Sequence, residues 1–327
     1  MKKPAPAILF ALILVALAVI TEAQQPKKVP RIGYLTGATP AGQSARIEAF
    51  RQGLRERGYL EGKNIFVEYR YAELKPDRIP ALADELVLLK VDVIVTGGGA
   101  LTRAVKNATN TIPIVMAQDT DPVANGFVAS LARPGENITG LSNLSPEITG
   151  KQLELLKEII PRLSRVAVLG ASTNPANAPQ LRESELAAGA LKVKLHYLAV
   201  QSPKDIETSF RAASKDLADA VLVLPGSIFN SHRTQIIKLA VKSRLPAIYS
   251  HSEYVLDGGL MTYSASLPDL DRRAATYVDK ILKGAKPADL PVEQPMKFEF
   301  IINLKAAKQI GLTIPPNVLV RADRVIR

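Results

Sequence analysis

The chain contains no cysteine and no tryptophan, only 3 histidines, and few aromatic residues (5%) among its 327 residues. Without cysteine there can be no disulfide framework, no thiolate zinc site, no cysteine nucleophile and no thiol redox couple. His196 and His232 have no second histidine four residues on, so the helical zinc signature is missing. No G-x-S-x-G elbow occurs, and Gly226-Ser227-Ile228 lacks the rest of that pattern. His251 near Ser250 and Glu253 reads better as a surface or hydrogen-bonding residue than as part of a hydrolase. Sugar clefts commonly stack aromatic rings on the ligand. Here only Tyr34, Phe229, Tyr249, Tyr254 and Tyr263 fall close to the loops considered below. No catalytic set, metal site or cofactor is expected.

Basic tracts are missing too. Lys and Arg number 42 against 31 Asp and Glu, a net charge of +11. They are interspersed with acids, as in Arg46-Ile47-Glu48 and Arg55-Glu56-Arg57, which reads as a solvated helix surface and not as a nucleic-acid stripe. Hydrophobic residues make up 47%, which excludes a disordered chain.

One long apolar run stands at the N-terminus. Lys2 and Lys3 precede Ala7–Ile20, and Thr21-Glu22-Ala23 follows with small residues at the two positions a signal peptidase reads. Residues 1–23 are therefore expected to be a signal peptide cleaved before Gln24. The run is shorter than the roughly 20 residues a spanning helix needs. Lipid-anchored exported proteins carry cysteine at the cleavage point. Its absence points to a periplasmic protein that is not membrane-anchored. Loss of Lys2, Lys3 and Glu22 lowers the charge to +10.

From Lys28 onward, apolar runs alternate with segments of helical period. Strands are expected at 31–35, 64–72, 91–96, 112–117, 165–169, 192–200, 220–224 and 247–250. Between them, Ile47, Phe50 and Leu54, and likewise Leu153, Leu156 and Ile160, fall on one helical face. Runs with few polar interruptions suit parallel strands covered on both faces. The length suits two α/β sheets of about four or five strands better than one of ten. Polar, Gly-rich or Pro-rich stretches at 135–146, 256–262 and 284–295 mark three crossings between halves. The expected organisation is 24–143 plus about 256–287 for one lobe, and 144–255 plus about 288–327 for the other.

In open parallel sheets, ligands lie beyond the carboxyl ends of the strands. Those ends are Thr36-Gly37, Thr96-Gly97-Gly98-Gly99, Gln118-Asp119-Thr120-Asp121, Ser172-Thr173-Asn174, Pro225-Gly226-Ser227 and Ser250-His251-Ser252-Glu253. Thr96–Ala100 is the most informative, because its glycines admit close approach and a helix begins at once, which suits an anion. A tight βα turn is the simpler explanation of the same glycines. Dinucleotide spacing fails at Thr102, and a P-loop fails where Tyr59 and Leu60 follow Gly58. Asp119 or Glu253 would take a ligand ammonium. Asp121 before Pro122 reads equally as a turn residue. The candidate ligand residues are Thr36, Thr96, Gly97, Gly98, Ala100, Asp119, Thr120, Asp121, Ser172, Asn174, Ser227, Ser250 and Glu253.

The stretches Arg31–Leu35, Asp121-Pro122-Val123, Leu131–Gly140, Ala274–Ala285, Asp289–Pro295 and Ile301–Lys308 occur in this order along the chain. Together they resemble the ABC-transporter substrate-binding proteins of the tryptophan/tyrosine-binding type. The resemblance spans essentially everything after residue 23. It implies a type I periplasmic-binding-protein-like fold, with two doubly wound parallel-sheet lobes joined by a three-strand hinge and a ligand held between them. It also implies a monomeric receptor without enzymatic activity, which delivers an amino acid or related carboxylate to a permease and its ATPase. Departures are Ser264 after Tyr263, where the family often has Gly, and Gly97-Gly98-Gly99-Ala100 where a Gly-Thr-Pro-Ala-like loop is common. The alternative role is a sensor that presents ligand to a membrane kinase or chemoreceptor.

Overall fold

The computed structural model describes residues 28–143, 147–172, 174 and 177–327; the expected signal peptide and Thr173 lie outside them. The first half runs β1 (Arg31–Thr36), α1 (Pro40–Arg55), β2 (Phe66–Tyr71), α2 (Ile79–Leu88), β3 (Val93–Thr96), α3 (Gly99–Ala108), β4 (Ile114–Met116) and β5 (Ile138–Gly140). The second runs α4 (Glu147–Ile159), β6 (Arg165–Ala171), α5 (Asn177–Leu191), β7 (Lys194–Val200), α6 (Pro203–Lys215), β8 (Ala220–Val223), α7 (Ser227–Ser231), α8 (Arg233–Lys242), β9 (Ala247–Tyr249), α9 (Ser252–Leu256) and β10 (Met261–Ala265). The chain then adds α10 (Leu267–Leu282), β11 (Phe298–Asn303), α11 (Leu304–Ile310), α12 (Pro316–Leu319) and β12 (Arg324–Ile326).

Two sheets result, of five and seven strands, in the orders β2-β1-β3-β4-β5 and β12-β11-β10-β9-β8-β6-β7. Every pairing is parallel except β10 with β11. Both halves repeat one winding, with the second strand outside the first and the third on its other side. Each sheet therefore has a switch point, between β1 and β3 and between β6 and β8, where crossovers leave in opposite directions and open a crevice. Apolar runs without alternation form these strands because both faces are covered. Val93 and Val95 face one cluster of the first lobe, while Ile94 faces the other. β6 divides likewise, with Val166 and Val168 on one side and Ala167 and Leu169 on the other.

α1 shows how sequence sets an element. Thr39 caps it by accepting from the Gly42 N–H at 3.2 Å, Pro40 opens its first turn, and Ile47, Phe50 and Leu54 turn inward. It packs on α10 at Gly53, where a methyl group would overlap the Arg272 carbonyl.

The eight expected strands all form, within a few residues. β5 was hidden in the stretch read as a crossing, and the C-terminal strands β11 and β12 extend the second sheet beyond the expected four or five. β10 also pairs in that sheet, so the chain leaves it near Ser266, ten residues beyond the expected position. Two helices, α7 and α8, meet at His232. Three passages join the sheets, after Ser142, at Ser266 and between Glu293 and Lys297. They are bonded to one another: Ser142 N–H donates to Glu293 O (2.8 Å), Glu293 N–H to Gly140 O (3.1 Å) and Ser266 N–H to Lys297 O (3.0 Å).

Candidate functional site

The carboxyl ends of both sheets border one cleft of about 780 Å³, lined from both lobes. Of the residues expected there, Thr36, Gly97, Gly98, Ala100, Asp119, Thr120, Asn174, Ser227 and Glu253 line it. Four do not. Thr96 is fully buried under α3, with its hydroxyl 2.7 Å from that of Thr102. Asp121 is a turn residue, as its proline neighbour allowed: its Oδ1 accepts from Ala124 N–H at 3.0 Å. Ser172 is exposed at the end of β6. Ser250 faces a separate cavity of about 30 Å³, shared with Asn143, Gln152, Gln180 and His251.

The glycine loop after β3 forms part of the first lobe's wall. Gly98 sits at φ 144°, a conformation open to glycine, and turns the chain into α3. Gln118 Nε2 donates to Gly97 O at 3.1 Å and leaves its Oε1 unpaired. Asp119 accepts through Oδ1 from Asp121 N–H (2.9 Å) and Asn125 Nδ2 (2.8 Å), while its Oδ2 has no partner. That oxygen lies at the start of α3, 2.8 Å from where a methyl on Gly99 would stand. Burial raises the Asp119 pKa to about 6, against the lowering effect of Asn125 and the Asp121 amide.

A second charged group enters from α1. Arg46, read from sequence as solvated, is only 9% exposed and lines the cleft. Its Nε donates to Asp271 Oδ2 at 2.6 Å. Asp271, on α10, also accepts from the Tyr34 hydroxyl at 2.6 Å, and Gln43 Nε2 donates to that hydroxyl at 3.2 Å. Burial opposes the Arg46 charge, but Asp271, Tyr34 and Glu253 outweigh it and hold its pKa above the ordinary value. Burial raises the Asp271 pKa even against Arg46. Sequence carried a signal for Arg46 and Gln43, because they share the helical face of Ile47 and Phe50, where a polar side chain is out of place unless it has a task.

From the second lobe, Glu253 on α9 keeps an unpaired Oε2. His251, expected to be a surface or hydrogen-bonding residue, is buried, and that burial lowers its pKa. Tyr254 stacks on Tyr249 with ring centroids 4.9 Å apart and donates to Asn230 Oδ1 at 3.2 Å. Phe127 and Tyr254 are aromatic residues of the lining, with Arg103 over the Phe127 ring at 4.5 Å. Tyr34, Phe229, Tyr249 and Tyr263, which sequence placed near the loops, do not line the cleft.

Buried polar atoms are nearly always paired. Seven side-chain atoms among the described residues are buried without a partner, and five belong to the cleft lining: Arg46 Nη2, Gln118 Oε1, Asp119 Oδ2, Asn143 Oδ1 and Glu253 Oε2. Such a concentration makes the cleft the candidate site. Among the described residues no group of three potential metal ligands occurs, and no helix is long and apolar enough to cross a membrane.

Two wound α/β lobes around a shared cleft are the architecture of periplasmic-type binding proteins, and comparisons with known proteins agree. Residues 40–326 match the family model described as ABC transporter substrate binding protein. The chain belongs to that family. It is similar to a tyrosine-binding protein of Clostridioides difficile (strain R20291), 28% identical over 269 residues, which are 81% of this chain and 76% of the relative. A solved structure described as an ABC domain in complex with L-Trp from Streptococcus pneumonia is 27% identical, with a TM-score of 0.82 over 91% of this chain and 99% of that one. A conserved domain protein from Vibrio cholerae is 30% identical, with a TM-score of 0.81 over 91% and 100%. A transporter family lends the sensor reading no support.

Proposed function

We propose that this protein binds an α-amino acid with an aromatic side chain between its lobes and presents it to a membrane permease driven by an ATPase. The five unpaired buried atoms of opposite character around one cleft carry this reading. An amino acid supplies an anion and a cation a few ångströms apart, and each can pair with groups that have no partner within the protein. Tyrosine and tryptophan binding by the relatives, together with Phe127 and Tyr254 in the lining, supports an aromatic side chain. Glu253 belongs to one lobe and Asp119 to the other, so only a ligand seen by both lobes completes the contacts. Bending at the three bonded passages then favours the closed form. A micromolar Kd corresponds to about −8 kcal/mol, within reach of two charge-assisted contacts and a buried ring.

Export of residues 24–327 as a periplasmic monomer, with no catalytic step, completes the proposal. Native mass spectrometry of gently purified protein, followed by a thermal-shift panel of amino acids, tests it. A copurified aromatic amino acid, or a rise in melting temperature with tyrosine or tryptophan, is expected. No bound small molecule and no shift with any amino acid would overturn it.

A further inference from the structure

Asp119 Oδ2 already occupies the start of α3, so a ligand carboxylate bound to that helix end would lie against a like charge. The cleft offers another anion partner a short step away. Arg46 Nη2 is buried, has no hydrogen-bond partner and lies 3.4 Å from where a methyl on Gly97 would stand. Gly97 and Gly99 thus stand next to two unpaired charged atoms, the cation beside one and the carboxylate beside the other. Only Gly98 separates these two glycines, so the cation and the carboxylate flank one short turn. Neither glycine has a side chain to block the approach.

We infer that Arg46 is the carboxylate anchor of this site, and that Asp271 with Tyr34 is the device that positions it. Asp271 takes the Nε edge of the guanidinium at 2.6 Å and is itself held by the Tyr34 hydroxyl at 2.6 Å, which leaves Nη2 free for the ligand. A guanidinium fixed on one edge loses little freedom when the other edge is used, so its contact is pre-organised. A purely structural ion pair has no need of a buried and empty Nη2 beside a glycine. The inference deepens the amino-acid reading and rests on it. It narrows the ligand class to molecules with a free carboxylate, and it excludes amines and amides of the same side chain as good ligands.

The test is a cycle of protein and ligand changes, read by calorimetry. Wild type and Arg46→Met are titrated with L-tyrosine and with tyramine, which lacks the carboxylate; 3-(4-hydroxyphenyl)propionic acid, which lacks the ammonium, is the control. Arg46→Met is expected to weaken L-tyrosine and the propionic acid by roughly 10- to 100-fold, the range for a charged hydrogen bond, and to leave tyramine within about 2-fold. Arg46→Met leaves Asp271 buried without its partner, so the pair Arg46→Met with Asp271→Asn is measured alongside, with both charges gone and the same split expected. Tyr34→Phe, which touches no ligand, should weaken L-tyrosine more than tyramine. Equal weakening of L-tyrosine and tyramine in the Arg46 variants would overturn the assignment while the amino-acid reading stands. Wild type that binds none of the three and no L-tryptophan would overturn that reading, and the assignment with it.

Discussion

Replacing Asp119 with asparagine tests the electrostatics of the cleft most directly. Asp119 is 1% exposed, and burial raises its pKa from 3.8 to about 6. A shift of about 2 units corresponds to about 3 kcal/mol. The sign follows from proton binding. Between about pH 4 and pH 6 the native state holds a proton on Asp119 that the unfolded chain has released, so stability falls as pH rises through that window. Above it the cost of an ionised buried carboxylate is present in full; below about pH 4 it is absent. The introduced amide can still accept through its oxygen from the Asp121 N–H and from Asn125, but it places a nitrogen where Oδ2 of Asp119 stood. Burying that neutral group costs about 1–2 kcal/mol. Asp119→Asn should therefore raise ligand-free stability by about 1–2 kcal/mol at pH 7.5 and lose this advantage near pH 4. Urea denaturation of both proteins at several pH values from 4 to 8 measures the difference, in which other titrating groups cancel. Ligand binding runs the other way. An ammonium over Oδ2 needs the ionised form, so wild-type affinity for L-tyrosine should drop about tenfold per unit below pH 6. The variant should bind weakly and without this dependence. A stability difference that is flat with pH, or that grows in favour of wild type as pH rises, would refute the reasoning.

Gly99→Ala puts a methyl 2.8 Å from Asp119 Oδ2, the end of a side chain that can move. The melting temperature should change little while L-tyrosine affinity falls about tenfold; an unchanged Kd would remove Asp119 from the ligand. Gly53→Ala forces α1 off α10 at the Arg272 carbonyl, so a loss of about 1–3 kcal/mol is expected in the same denaturation assay, and wild-type stability would show that the helices part freely. Protein collected from the periplasm should begin at Gln24 by N-terminal sequencing; a membrane-held chain that retains residues 1–23 would contradict the cleavage reading.

Much of the fold was legible because parallel strands covered on both faces must be apolar at successive positions. Val93-Ile94-Val95 and Val166–Leu169 announce themselves in that way. β5 was not legible: its three residues, Ile138-Thr139-Gly140, sit among glycine and asparagine and depend on pairing with β4 for their existence. β11 and β12 were missed for a related reason. A strand that joins a sheet from another part of the chain carries no local mark of its partner, and β11 pairs with β10 across more than thirty residues of intervening chain. The loops at strand ends were found because topology fixes where ligands can lie. Whether a given side chain reaches the cleft was not fixed. Thr96, the last residue of β3, and Asp121, after β4, adjoin residues that line it, but their side chains are spent on Thr102 and on the turn to Ala124.

Composition and period alone establish that this chain builds two α/β lobes, and that it does so without thiols, thiolate metal sites or tryptophan. They also place the glycine loop and Asp119 beyond adjacent strands. The helical face of Ile47 and Phe50 marks Arg46 as a polar residue on a buried side, but what holds it in the site is the packing of distant elements. Asp271 lies 225 residues away in sequence and reaches Arg46 because α10 returns to pack on α1. A buried cation is tolerable where an opposite charge meets it, and no local pattern can report a partner that arrives from the far end of the chain.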